Sequence, residues 1–178
     1  MALTGWFRRL LRDSSGVAAV EFGLIGTAFL LLICILLDTG LMLFAQGVLD
    51  NATRTAIRPI QTGSSAVTQT TFDNALCAAV APLIPCSQIS FYVNSATTFS
   101  GLTPQTPNST GQLVCTNSSA QAGNCASFTV GSATNFVLVQ VAFSRQYLIP
   151  WLAKISSSTG TPALVSTVAF QIEPYYTP

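Results

Sequence analysis

The stretch GVAAVEFGLIGTAFLLLICILL, Gly16 to Leu37, decides the fold. Its only charged side chain is Glu21. At a rise of about 1.5 Å per residue, roughly twenty apolar residues in a helix cross a hydrocarbon core roughly 30 Å thick, so the stretch predicts a membrane span. Arg8, Arg9 and Arg12 precede it. By the positive-inside rule they place the N-terminus in the cytoplasm and everything after Asp38 on the outward side. A carboxylate within such a span costs about 2.5 to 3.5 kcal/mol on insertion scales, and it persists where something pairs with it or requires it. Glu21 is therefore the first candidate functional residue.

Composition narrows the function classes. Of the 178 residues 7% are charged and 49% are hydrophobic, against roughly 25% charged in a soluble domain, which points to a membrane-inserted protein. Net charge is +1, and Arg54, Arg58, Arg145 and Lys154 are scattered along the chain after the span; without a basic patch, no nucleic-acid partner is expected. Histidine is absent, which removes the commonest general base, the usual zinc ligand and any Ser-His or Cys-His pair. Lys154 beside Ser156 to Ser158 reads as an exposed loop rather than a Ser-Lys dyad. The expectation is a protein that is not an enzyme and has no catalytic residues, metal, cofactor or small-molecule substrate.

The helical pattern continues past the span. Leu41, Phe44, Ala45, Val48, Ala52 and Ala56 recur at steps of three and four, the period of an amphipathic helix. Asp50 and Arg54 stand four apart with the acid first, and Arg58 with Pro59 predicts a basic last turn and a stop. A helix from near Gly16 to Arg58 is about 65 Å long, more than a bilayer needs, so its outer half must pack on a domain. Gln61 to Gln69 reads as a linker and Phe72 to Val80 as a short helix ended by Pro82. Ile89–Val93, Phe136–Phe143 and Leu164–Glu173 carry the alternation of strands, with Val137, Val139, Val141 and Phe143 on one side and Leu164, Val168, Phe170 and Ile172 on one face. The predicted fold class is α+β: residues 17–60 form a transmembrane and amphipathic stalk helix, and residues 61–178 a small periplasmic domain with an antiparallel sheet covered by the helix stripe.

Thr97 to Ser127 is rich in Ser, Thr and Asn, and is expected to be a surface excursion too polar for a core. It is either a displayed contact loop or an insertion without a role. Tyr147–Lys154 is expected to be a turn or short helix. Cys77, Cys86, Cys115 and Cys125 all follow the span, as suits disulfides in an oxidising compartment, while Cys34 sits alone within it. Four cysteines allow three pairings. Short loops close at least entropic cost, which favours Cys77 with Cys86 and Cys115 with Cys125.

Three readings compete for the N-terminus. As a secretory signal its apolar stretch is too long, with no A-x-A-like site beyond it. As a plain anchor it would snorkel the Glu21 carboxylate into the headgroups. In the third, Met1 to Gly16 is a leader cut off after Gly16, and the new Val17 ammonium lies one helical turn from Glu21. In a bundle of such helices the carboxylate of one subunit can neutralise the ammonium of a neighbour, turning a costly buried charge into a register pin.

Gly16, Glu21 and Phe22 resemble the G-x-x-x-x-E-[YF] processing site of class III prepilins, the pilin relatives of the Flp or tight-adherence (Tad) system. Val137 to Phe143 through Tyr147-Leu-Ile-Pro, and Leu164 to Tyr175 with Gln171-Ile-Glu-Pro-Tyr, are similar to the C-terminal half of the TadE-like family, with Ile172 where that family's N-E-P-Y-like tail has Asn. The resemblance implies a minor pilin or pseudopilin of a bacterial Tad pilus, acting in assembly, initiation or tip formation. It implies an inner-membrane precursor that enters the extracellular pilus after cleavage by a prepilin peptidase. Its implied partners are the inner membrane, other Tad pilins and the pilus assembly platform. Gly16 and Val17 would be the scissile pair, Glu21 and Phe22 the recognition and assembly residues, and Gly23, Gly26 and Gly40 places where neighbouring helices approach. TadF, a sibling minor pilin, is also compatible. The alternative is a membrane-anchored periplasmic binding or adhesion module outside any filament.

Overall fold

The computed structural model describes residues 16–63, 67–81, 83–113, 128–145 and 163–174. The predicted leader up to Ser15, Cys115 and Cys125 with the second half of the long loop, Pro82, the Tyr147–Lys154 connection, Ser156 to Ser158 and Tyr175 lie outside the described residues. The architecture is α+β, a long apolar N-terminal helix followed by a small domain with a three-stranded antiparallel sheet. By its internal contacts the chain divides into two units between Leu41 and Met42.

Helix α1 runs Val17–Gln61 and holds Pro59 inside its last turn, so Pro59 is not the stop that the sequence suggested. A proline near a helix end forfeits one N–H bond without ending the helix when the next turn is held by other means. Here Ile60 is buried in the core, the Thr62 N–H bonds the Arg58 carbonyl at 3.1 Å, and the Gly63 N–H bonds the Ile60 carbonyl at 3.1 Å. Gly63 has φ +67°, a left-handed cap that glycine adopts at little cost.

Four positions of the predicted stripe on the outer half of α1, Ala45, Val48, Ala52 and Ala56, lie on the packed face, and two, Leu41 and Phe44, do not. Leu49, Ala52, Ala56, Ile57 and Ile60 are buried, with Met42, Ala45 and Val48 packed against them; Leu41 and Phe44 are exposed. Stepping 42, 45, 49, 52, 56 and 60 keeps the same helical period, and small alanines at three of these positions let the helix lie close to its neighbours. Asp50 forms no ion pair with Arg54 among the described residues. Its Oδ1 instead accepts from Gln46 Nε2 at 3.1 Å, and the same amide donates to the Val165 carbonyl at 3.3 Å. An exposed pair four apart is worth only about 0.3 to 0.5 kcal/mol, so a half-buried amide bound to the domain outcompetes it.

Helix α2 (Gln69–Val80) starts three residues before the predicted one because Thr68 caps it. The Thr71 N–H donates to Thr68 Oγ1 at 3.2 Å and the Thr68 N–H to Thr71 Oγ1 at 2.9 Å, a reciprocal capping box that contributes about 1 kcal/mol. Phe72, Leu76 and Val80 face the core. Beyond it Cys86 is bridged to Cys77, with a Cα–Cα distance of 5.4 Å, tying the end of α2 to the entry of the sheet.

Strands β1 (Ile89–Ala96), β2 (Phe136–Ser144) and β3 (Ala163–Gln171) lie in the order β1-β2-β3. The first pair registers Ile89 with Phe143 and the second Phe143 with Leu164. Phe91, Val93, Val137, Val139, Val141, Phe143 and Leu164 share one face and pack on α1 and α2. Phe72 sits at its centre, 5.2 Å from the ring of Phe91 and 5.7 Å from that of Phe128.

The first half of the long polar loop does contribute to a core, contrary to expectation. Residues 102–113 strap the second face of the sheet, where Leu113, 2% exposed, packs with Tyr92, Leu138 and Ala142, and Leu102 leans on them. Buried Gln140 clamps the strap. Its Oε1 accepts from the Gln105 N–H at 2.6 Å and its Nε2 donates to the Gln105 carbonyl at 3.3 Å. The Leu113 N–H donates to Ser90 Oγ at 3.1 Å. Two apolar side chains suffice because backbone and amide groups meet each other's hydrogen-bonding needs under the strap.

Candidate functional site

The residues that the sequence singled out lie at the start of α1. Val17 and Glu21 stand one turn apart on it, a spacing that puts them on a common face. Glu21 is exposed and, among the described residues, no hydrogen bond or ion pair reaches it. Phe22 is 79% exposed. The apolar surface continues through Ile25, Phe29, Leu30, Leu32, Leu36 and Leu37, all more than half exposed. Exposing so much apolar surface to water has no compensation within this unit, and α1 is long and apolar enough to cross a membrane by length and composition.

Two threonine hydroxyls of this half bond to their own helix. Thr27 Oγ1 donates to the Gly23 carbonyl at 2.8 Å, and Thr39 Oγ1 to the Ile35 carbonyl at 2.8 Å, so both hydroxyls are satisfied by their own helix. Gly23 and Gly40 have nothing within 4 Å of where a Cβ would stand, and Gly26 meets only the Phe22 ring at 4.0 Å. Among the described residues no other element approaches these glycines. Cys34 is free and exposed on the same helix.

Away from the span, Asp73, Cys77 and Cys86 bring their ligand atoms within 4.8 Å of one another. Both sulfurs are spent in the disulfide, and metals bind the thiolate, so the cluster as it stands offers a cation only one carboxylate. The Cys77–Cys86 bridge is the short-loop pairing that loop entropy favoured.

The strap was missed by sequence reasoning, although Asn108-Ser-Thr-Gly111 carries a turn signal between the isolated apolar residues Leu102 and Leu113. Asn108 Oδ1 accepts from the Thr110 N–H at 3.0 Å and the Gln112 N–H at 2.9 Å, and Gly111 takes φ +77° to close the turn.

Residues 16–58 match the family model described as TadE-like protein. The match covers Gly16 to Phe22 and nearly all of α1; the C-terminal strands that also resembled the family lie beyond it. No curated protein and no solved structure matches the chain.

Proposed function

We propose, on the premise of a TadE-like stalk at residues 16–58, that this protein is a minor pilin or pseudopilin of a Tad pilus. In this reading it is held in the inner membrane by α1 with its domain in the periplasm, and a prepilin peptidase cuts it between Gly16 and Val17. The observation that supports the reading is Glu21, the one carboxylate of the exposed apolar stretch Gly16 to Leu37, with no partner among the described residues. Cleavage creates the missing cation. The Val17 ammonium of one subunit and the Glu21 carboxylate of its neighbour neutralise each other between packed helices, where the low dielectric makes an unpaired charge costly and a pair selective for register.

The division of labour along α1 follows. Phe22 is the apolar recognition element beside the cut, and Gly23, Gly26 and Gly40 let neighbouring backbones close in. Leader removal also discards Arg8, Arg9 and Arg12, the charges that hold the N-terminus at the cytoplasmic face.

The mature N-terminus, measured by mass spectrometry in cells with and without the peptidase, tests the cut. Val17 in the first and Met1 or Ala2 in the second is the expected result; Met1 or Ala2 in both refutes the reading. Glu21→Ala is expected to stay membrane-bound and to drop out of sheared filaments. Unchanged incorporation would remove Glu21 from assembly.

A further inference from the structure

We propose that Asp73 shields the Cys77–Cys86 bridge from opening by thiols, and that it keeps out anionic thiols more strongly than cationic ones.

The bridge joins unlike sites. Cys77 is half-buried on α2, next to buried Leu76, whereas Cys86 lies in a short turn where Pro85, Ser87 and Gln88 are exposed. An incoming thiolate therefore reaches the Cys86 sulfur first. Attack there forms a bond from the incoming sulfur to Cys86 Sγ and breaks the bond to Cys77 Sγ, whose electron pair leaves with Cys77 as a thiolate. A second thiolate then takes the first off Cys86 as a small-molecule disulfide. The reagent is oxidised and the bridge reduced, each protein sulfur finally taking a proton from water.

The first step places negative charge on the sulfur least able to hold it. Asp73 stands one turn before Cys77 on α2, and its Oδ1 is 3.6 Å from Cys77 Sγ. Asp73 is half-buried, and among the described residues no cation pairs with it, so the repulsion of a thiolate there is screened less than it would be in open water. Cys77 also lies in the last turn of α2, which ends at Val80, and its carbonyl accepts from the Ala81 N–H at 3.1 Å. The negative end of the helix dipole opposes a thiolate at this place, the reverse of the helix N-termini at which reactive thiols are found. Capping does not account for Asp73, because Thr68 and Thr71 cap α2 and the Asp73 side chain makes no other hydrogen bond among the described residues.

The incoming group meets the same carboxylate. The carboxylate oxygen of Asp73 and the sulfurs of Cys77 and Cys86 lie within 4.8 Å of one another, so a thiolate touching Cys86 Sγ is within a Debye length of Asp73. A second negative charge on the reagent adds to the repulsion, and a positive one offsets it. The carboxylate thus acts twice on the accessible route, on the group that enters and on the group that leaves. The consequence is a bridge that stays closed in a compartment where small thiols and thiol oxidoreductases exchange disulfides.

The test uses the oxidised full-length chain in mild detergent. The unaltered chain, Asp73→Asn and Leu76→Ala are each treated with cysteamine, a cationic thiol, and with mercaptoethanesulfonate, an anionic one. Samples are alkylated at intervals, and mass spectrometry of the peptides holding Cys77 and Cys86 reads the opening of this bridge alone. Asp73→Asn is expected to open about tenfold faster with the anionic thiol and about twofold faster with the cationic one. Leu76→Ala, at a fully buried site, loosens the domain without changing its charge and should speed both reagents by the same factor. Early samples should carry the reagent on Cys86, with Cys77 alkylated. An Asp73→Asn chain that opens no faster, or faster by one factor with both reagents as a merely structural role would give, overturns the proposal. So does a first adduct on Cys77.

Discussion

Replacing Cys77 and Cys86 together by serine probes how the small domain is held. The bridged residues are 9 apart in sequence, and the chain-entropy relation for a loop of that length gives about 2.6 kcal/mol at 25 °C. The bridge joins the last turn of α2, which carries Val80, to the turn that leads into Ile89 of β1. Nothing else covalent shortens the search of these two elements for each other in the unfolded chain. With a urea slope near 2 kcal/mol/M, the midpoint should fall by about 1.3 M at unchanged slope. The assay is a urea titration of the purified full-length chain in mild detergent, followed by near-ultraviolet dichroism of the domain's aromatic residues, for the double variant and for the native chain with and without a reductant. Reductant and double variant should agree. A shift under about 0.3 M in both would refute the reasoning, because the α2–β1 link would then be ordered in the unfolded chain without the bridge.

Leu49→Ala, at a fully buried site, is expected to cost about 2 to 5 kcal/mol, whereas Leu43→Ala, at a site 70% exposed, should change domain stability by less than about 0.5 kcal/mol; equal losses in the same titration would mean that the helix presents a different face. Gly111→Ala puts a Cβ 3.0 Å from Ser144 Cβ at φ +77°, so the strap should loosen by about 1 to 2 kcal/mol, seen as roughly tenfold faster amide exchange at Leu113. Thr134 holds φ 72° while its N–H bonds the Ile172 carbonyl and its carbonyl accepts from Gln171 Nε2. Thr134→Gly keeps these backbone bonds and relieves a conformation costly for a β-branched residue, so a rise in Tm of about 2 °C is expected; a fall would show that the turn carries no strain.

Elements with an uninterrupted period were legible from the residues. The span needs only length and apolarity, and β1 and β2 run three residues and one residue past their predicted ends, while β3 starts one residue before the predicted stretch and stops two short of its end. Helix α1 was legible as a helix and the face it buries in most positions, with Ala45, Val48, Ala52 and Ala56 on it, but Phe44 and Ala45 fit the period equally well and only the closeness of the sheet selects Ala45. The start of α2 was written in Thr68 and Thr71 and overlooked, because threonine in a run of Ser and Thr looks like linker. The strap was illegible for a different reason. Two leucines in a polar run predict no core until Gln140, which is thirty-five residues from Gln105, supplies the amide that holds it.

The sequence by itself determined that this chain carries a helix long and apolar enough to cross a membrane with a carboxylate near its start, a helical extension and a β-rich domain, because hydrophobic length and periodicity act locally along the chain. It also carried, in Gly16 to Phe22, a motif that resembles the processing site of class III prepilins, at the start of the stretch that matches the TadE-like model. Only the tertiary structure decided which side of α1 meets the sheet and that the first half of the polar loop covers the sheet's second face. Those outcomes depend on hydrogen bonds and packing between residues far apart in sequence, whose partners are chosen only when the strands have found their register.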